Sequence, residues 1–436
     1  MIINKNIIIL FYSLCQYTYA YKAAVKADVT WEVKPLRREI KITENRRKKN
    51  GVRDARFGTA QAGKVRSYHQ GFPGYAPTAL RKLEHLAEYL GIAAFYVKDE
   101  STRFGLNAFK GLGGSYGIGR YIAELCGIPE EELTYESLLG DAVRKKTKGL
   151  TFVTATDGNH GRGIAWAVRE LGLNAVVYLP KNSAKERLSN IRKLGAKAEI
   201  LELNYDDTVR FAAACEKEKG WVLVQDTAWD GYEKIPAWIM QGYMTMALEA
   251  AEQMGNDRPT HIFLQAGVGA MSGALAAFFA DYYKDAMPEI IIVEPDQADC
   301  IYQTAKADDG TLHKVSGDMD TIMAGLACGE PCTIGWDMLC GNADAFVSIP
   351  DHVAAKGMRI LGNPLPGDAR VISGESGAST SGFVAELLLN KELADLRDRL
   401  GLHADSKVLL FSTEGDTDQE NYRNIVWNGA YSGTEQ

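Results

Sequence analysis

Between residues 150 and 226 the chain alternates short β-rich runs with helical runs, and this alternation restricts it to a parallel sheet covered by helices. Residues 151–156 are β-rich, and a tight polar turn follows, Asp157-Gly158-Asn159-His160-Gly161. Ile164, Ala165, Val168 and Leu171 then mark one helical face, closed by Gly172. A second strand at 175–179 stops at Pro180. Ser183 with Glu186 has the spacing of a capping box, which predicts a helix ending near Gly195. A strand near 199–201, a helix from about 207 to 219 and a strand at 221–225 complete the series. In such sheets ligands bind beyond the carboxyl ends of the strands, where Asp157 and Asp226 fall.

Upstream, Leu80, Leu83, Leu86, Ala87 and Leu90 have helical spacing with Gly91 as a stop, and 93–97 reads as a strand. Within a dozen residues comes Asn107-Ala108-Phe109-Lys110, followed by a glycine-rich run from Gly111 to Gly117 and a helix over 115–126. A lysine at a helix start, beside glycines that let a ligand approach the backbone, can sit desolvated and act as a nucleophile. Downstream, a strand at 261–265 runs into Gly267-Val268-Gly269-Ala270-Met271-Ser272-Gly273 and a helix of small residues. Such a turn offers backbone N–H groups and a helix dipole to a phosphate. It lacks the Gly-Lys-Ser/Thr ending of a P-loop, and Ser272 stands at the third glycine of a dinucleotide fingerprint. Glu294, ending the next strand at 290–293, occupies the place of a ribose-binding acid, so a nicotinamide dinucleotide site is an alternative. Later strands are expected at 369–372, before Ser373-Gly374-Glu375-Ser376-Gly377, and at 407–411, before Ser412-Thr413-Glu414-Gly415-Asp416.

Composition narrows the partners. The 436 residues are 46% hydrophobic and 24% charged, the profile of a soluble globular protein of about two domains. A net charge of −7 argues against nucleic acid and anionic membranes and favours a small-molecule partner. Seven cysteines without short repeated spacings suggest neither a metal cluster nor a disulfide framework, and reduced thiols in a cytoplasmic enzyme are expected. Lys5 and the apolar stretch at 7–15 superficially resemble a signal peptide, but the stretch is too short to span a membrane and Ala20-Tyr21-Lys22 is a poor cleavage site. An unstructured or mis-started extension is expected there, and the polar stretch 36–66 reads as a loosely ordered lead-in. The expected division is a poorly ordered extension at 1–70, a large domain from 71–112 and 243–436, and a small domain at 113–242.

In this order, Asn-Ala-Phe-Lys, Asp-Gly-Asn-His-Gly, Gln-Ala-Gly-Val-Gly-Ala-Met and Ser-Thr-Glu-Gly-Asp resemble the fold-type II pyridoxal phosphate (PLP) enzymes, the tryptophan synthase β and threonine dehydratase group. More closely, the stretches 99–110, 225–229, 323–331 and 373–378 are similar to the diaminopropionate ammonia-lyase family. The resemblance runs from about residue 73 to the C-terminus. It implies an α/β fold with two three-layer α/β/α domains and mainly parallel sheets, pyridoxal 5'-phosphate as cofactor, no metal, and a homodimer. It also implies that Lys110 forms the Schiff base, that Asn159 hydrogen-bonds the phenolic oxygen, and that the backbone of Gly267, Val268, Gly269, Ala270 and Met271 holds the phosphate. Ser412, with Thr413 beside it, would face the pyridine nitrogen.

Asp157 stands where dehydratases commonly carry a serine. A carboxylate there suits a diamino acid, either pairing with its second ammonium or acting as a base on one face while Lys110 serves the other. Asp226 is a second candidate for substrate positioning or proton transfer, His160 reads as structural, and Cys328 as a buried thiol. The implied reaction is α,β-elimination of D- or L-2,3-diaminopropionate to pyruvate and two ammonia. A serine/threonine dehydratase, an NAD-dependent oxidoreductase using Glu294, and a non-catalytic PLP or amino-acid binding protein stay open as alternatives.

Overall fold

The alternating stretch builds one sheet. In the computed structural model, which describes residues 39–48 and 51–433, β4 (Thr151–Ala155), β5 (Asn174–Leu179), β6 (Lys197–Ile200) and β7 (Val222–Leu223) pair in the order β6-β5-β4-β7, all parallel. A second, seven-stranded sheet collects residues that are far apart in sequence. Its order is β1 (Lys41–Glu44), β10 (Ala345–Ile349), β9 (Glu289–Pro295), β8 (His261–Gln265), β11 (Lys407–Ser412), β3 (Ala94–Asp99) and β2 (Ala79–Lys82). Only the two edge strands, β1 and β2, are antiparallel to their neighbours. Central β8, β9 and β11 carry near-continuous apolar runs such as Ile290, Ile291, Ile292 and Val293, all buried, because helices cover both faces of a parallel sheet. The smaller sheet comes wholly from residues 151–223, and the larger from residues before 100 and after 260.

Four sequence expectations are corrected. The segment 40–70 is not a loose lead-in. β1 pairs with β10, the Asn45 amide donates to the carbonyls of Cys340 and Ala343 at 2.9 and 2.8 Å, and the helix Thr59–Gln70 buries Ala62, Val65, Tyr68 and His69. The partners of β1 and Asn45 lie more than 200 residues away, so nothing local signals the packing. From Ile40 onward the chain forms one compact unit; the readings of residues 1–35 fall outside the described residues. Leu80 does not belong to a helix: Ala79–Lys82 pairs antiparallel with β3, and the helix starts at Glu84. The stretch 369–372 forms no strand, its Val371 amide donating instead to the Leu361 carbonyl. The capping box does not form, since Ser183 donates to the Pro180 carbonyl and the following helix, Lys185–Lys193, has no side-chain cap.

The helix that begins at Lys110 (Lys110–Cys126) is fixed by glycines at its crossings. A Cβ on Gly242, in the helix Lys234–Met254, would lie 2.5 Å from the Leu112 carbonyl oxygen and 2.6 Å from the Gly113 Cα. One on Gly163, in the helix Asn159–Glu170, would lie 2.8 Å from the Lys110 carbonyl carbon. Backbone thus packs directly on backbone around the lysine. Gly242→Ala should therefore lower unfolding stability by about 3 kcal/mol, through overpacking that no flexible side chain can relieve. Gly63→Ala, at a helical glycine where an added methyl group would meet nothing within 4 Å, should be neutral or stabilising by up to about 1 kcal/mol. Chemical denaturation of the two variants checks the contrast.

Candidate active site

The loops at the carboxyl ends of β4, β7, β8 and β11, with the start of the Lys110 helix, close around a cleft. Its lining includes Lys110, Asp157, Asn159, His160, Asp226, the run Gly267 to Ser272, Cys328, Thr413 and Glu414. Segments more than 300 residues apart thus meet as the strand-end rule expects.

Lys110 is the first residue of its helix, and its Nζ donates to Asp226 Oδ2 at 2.5 Å. It also lies over the Phe109 and Tyr243 rings, 5.2 and 5.6 Å from their centroids. Burial disfavours the ammonium, but the Asp226 carboxylate, with Tyr243 and Asp157, outweighs it and raises the lysine above its ordinary range. Lys110 is therefore paired as an ammonium with Asp226. On Asp226 burial also works against the charge, and His160 and Lys110 together hold the carboxyl below the usual range. His160 Nε2 donates to the Val224 carbonyl at 2.8 Å, while its buried Nδ1, 3.6 Å from Asp226 Oδ2, has no hydrogen-bond partner among the described residues.

At the other end of the cleft, β8 leads through Gly267 and Val268 to Gly269, the residue preceding the helix Ala270–Tyr283. Gly269 has φ +87°, a left-handed conformation, and no side chain caps the first turn. The amides of that turn are left to a ligand, as an anion site requires. Gly267 packs closely on the facing loop: a Cβ there would lie 3.1 Å from the Leu326 Cα and 3.3 Å from Cys328 Sγ.

Glu294 is not a ribose-binding acid. It is fully buried, does not line the cleft, and accepts from the Ile301 and Tyr302 amides at 2.8 and 2.6 Å. That role as a helix-start acceptor removes the acid on which the dinucleotide alternative rested. The two hydroxyls at the end of β11, Ser412 within it and Thr413 just beyond, also part ways. Ser412 does not line the cleft and donates to Ser373 Oγ at 2.8 Å, whereas Thr413 lines it. Successive strand residues point to opposite faces, so only one of the pair can face the site.

Sequence reasoning missed three groups. Tyr205 lines the cleft and its hydroxyl accepts from Gln225 Nε2 at 3.1 Å; its place just after β6 is the signal that could have found it. Arg187 pairs with Asp157 at 3.3 Å. Glu414 ends a chain of hydrogen bonds in which Gln265 Nε2 donates to Thr413 Oγ1 at 2.9 Å and Thr413 donates to Glu414 at 2.7 Å. The Gly377 amide donates to its other oxygen at 2.6 Å. Burial pushes the Glu414 carboxyl up to about 7, against the pull of these donors. A raised carboxyl contributes stability that is fully present below its unfolded value and is lost as pH rises through the folded one. Wild type should therefore lose about 3 kcal/mol relative to Glu414→Gln between about pH 4.5 and about pH 8. Unfolding midpoints of the cofactor-free proteins that stay parallel across this range would contradict the assignment.

Comparison with known proteins agrees with this geometry. Residues 72–399 match the model of the pyridoxal-phosphate dependent enzyme family. Over 369 residues the chain is 53% identical to diaminopropionate ammonia-lyase of Salmonella typhimurium, covering 84% of this chain and 91% of that protein. The crystal structure of Escherichia coli diaminopropionate ammonia lyase in complex with an aminoacrylate-PLP azomethine reaction intermediate superposes with TM-score 0.84 at 47% identity, covering 91% of this chain and 99% of that one. The same enzyme in complex with D-serine gives TM-score 0.85 at 47% identity and the same coverage. A lysine at a helix start, an uncapped glycine turn and the carboxylates of Asp157 and Asp226 in one cleft, together with these matches, make the chain a member of the pyridoxal-phosphate dependent enzymes and, among them, of the diaminopropionate ammonia-lyase family.

Proposed function

We propose that this chain eliminates ammonia from 2,3-diaminopropionate with pyridoxal 5'-phosphate as cofactor, the net reaction being diaminopropionate plus water to pyruvate plus two ammonia. The residues fit the cofactor. Lys110 would supply a nitrogen for its aldehyde carbon, the uncapped turn at Gly267 to Met271 would supply amides for its phosphate, Asn159 also lines the cleft, and Thr413, rather than Ser412, would supply the hydroxyl for its ring nitrogen. When bound, the cofactor withdraws electrons from the substrate's α-carbon and so acidifies its proton.

The observation that carries the substrate class is that Asp157 and Asp226 share the cleft with a single lysine among the described residues, while the third carboxyl of the lining, Glu414, is taken up by the Thr413 hydroxyl and the Gly377 amide. A dehydratase acting on a hydroxy amino acid has no second ammonium to balance. Asp226 holds the Lys110 ammonium until that nitrogen is engaged covalently, and its charge is then available to the substrate's β-ammonium. The β-nitrogen, kept protonated by that carboxylate, leaves as neutral ammonia. Lys110 or Asp157, according to the chirality of the substrate, takes the α-proton, and the C–H electron pair becomes the new C=C bond as the β-C–N bond breaks. The enamine product takes up water after release and gives pyruvate and the second ammonia. The D-serine complex of the Escherichia coli enzyme supports a site of this kind admitting a D-amino acid.

The test is pyruvate formation by the PLP-supplied protein from D- and L-diaminopropionate and from serine. Diaminopropionate should be preferred by about 10²-fold or more in kcat/KM, the worth of one buried charge pair; equal or better turnover of serine returns the dehydratase reading. We also read the protein as a cytoplasmic homodimer. Cys126, Cys215, Cys300, Cys328 and Cys332 are free thiols, which suits a reducing compartment, and the dimer rests on family resemblance. No helix among the described residues is long and apolar enough to cross a membrane.

A further inference from the structure

Arg187 stands behind Asp157. It lies in the helix Lys185–Lys193, is nine-tenths buried, and does not itself line the cleft. Its Nη1 donates both to the Asp157 carboxylate and to the Asp157 backbone carbonyl, each at 3.3 Å. The next residue makes room for it. Gly158 has φ +148°, and a Cβ there would lie 2.8 Å from the Arg187 Cδ, so the stem of the arginine runs along the turn where any side chain would collide. The buried Nε has no hydrogen-bond partner among the described residues, and the guanidinium also faces Glu375, Asp418 and Glu414. The Asp157 side chain keeps 19% of its surface open and lines the cleft. One cation thus grips the turn at two points and leaves the carboxylate exposed on the reactive side.

Asp157 and Asp226 therefore have different partners. Asp157 is matched by a permanent cation outside the reaction. Asp226 is matched by Lys110, whose ammonium is consumed when its nitrogen is engaged. A carboxylate already paired with arginine attracts a second cation weakly, yet keeps lone pairs for a proton.

We infer that Arg187 is a positioning residue for the elimination proposed above: by holding Asp157 through its carboxylate and its carbonyl, it fixes that carboxylate as the base for one enantiomer of the substrate and leaves the β-ammonium to Asp226. The inference rests on the elimination reading, and the experiment separates the two. Holoenzyme is assayed with D- and L-diaminopropionate as wild type, Arg187→Gln, Arg187→Lys, Asp157→Asn and the Arg187→Gln/Asp157→Asn double variant, with bound cofactor read by its visible absorbance. Arg187→Gln should lower kcat about tenfold or more for the one enantiomer whose turnover Asp157→Asn also abolishes, and change the other by less than about threefold, with KM and cofactor loading little altered. Arg187→Lys should recover part of the loss, and the double variant should be no worse than Asp157→Asn alone. Equal losses on both enantiomers, no loss on either, or additive losses in the double variant would overturn the inference. So would failure of both single arginine variants to load cofactor, since the arginine would then serve folding alone. A wild type that turns over neither enantiomer overturns the elimination reading first, and this inference with it.

Discussion

Lys110→Ala should reduce turnover by on the order of 10³-fold or more and abolish covalent attachment of the cofactor. Lys110 is the single lysine lining the cleft among the described residues, and it starts a helix whose backbone is pinned by Gly163 and Gly242, so no neighbouring amine can take its place. Borohydride treatment followed by peptide mapping should find the reduced adduct on Lys110 in wild type and nowhere in the variant. An adduct on another lysine, with activity retained, would remove Lys110 from its role. The substitution also strips buried Asp226 of its 2.5 Å partner. An unpaired buried charge costs about 3–5 kcal/mol where water cannot enter, so Lys110→Ala/Asp226→Asn should recover stability without recovering activity.

The second large effect is expected at Asp226. Asp226→Asn should lower kcat/KM for diaminopropionate about 10²-fold, chiefly through KM, and lower that for serine by less than about tenfold. The carboxylate is buried, its Oδ1 accepts from Gln225 Nε2 at 3.3 Å, and its Oδ2 faces Lys110. Asparagine is nearly isosteric and can keep the first of these bonds while losing the charge. Steady-state kinetics on both substrates separate the two roles open to this residue. Equal losses would mean that Asp226 works in proton transfer, a step common to both substrates, and not as the counter-ion of the β-ammonium.

Much of this site is legible in the chain itself. Lys110, Asp157, Asn159, Asp226, the Gly267 to Met271 run and Thr413 are all candidates from sequence, and all line one cleft. They are legible because each sits at a strand end or helix start, and those junctions are written in a few consecutive residues. Ser412 is a candidate too, but β alternation turns it toward Ser373. Glu294 carries the right spacing for a dinucleotide acid and instead accepts from two amides at a helix start. Spacing cannot distinguish those uses, because both place a carboxylate just past a strand.

Local sequence was enough for the alternation of strands and helices in residues 151–223, the glycine turn that opens the helix at Ala270, the lysine at the start of another, and, with the ordered motifs, the family. Hydrophobic period and turn chemistry act over a few residues, so they survive in one dimension. Three-dimensional packing was needed to see that β1 closes one edge of the large sheet, that a polar-looking helix at 59–70 buries one face in the core, and that Lys110 is held as an ammonium by a carboxylate 116 residues away. It was needed equally to see Asp157 gripped by Arg187 across 30 residues and Thr413 tied to Gln265 across 148. Burial and charge pairing depend on what the whole chain brings within a few ångströms, and no local pattern encodes that neighbourhood.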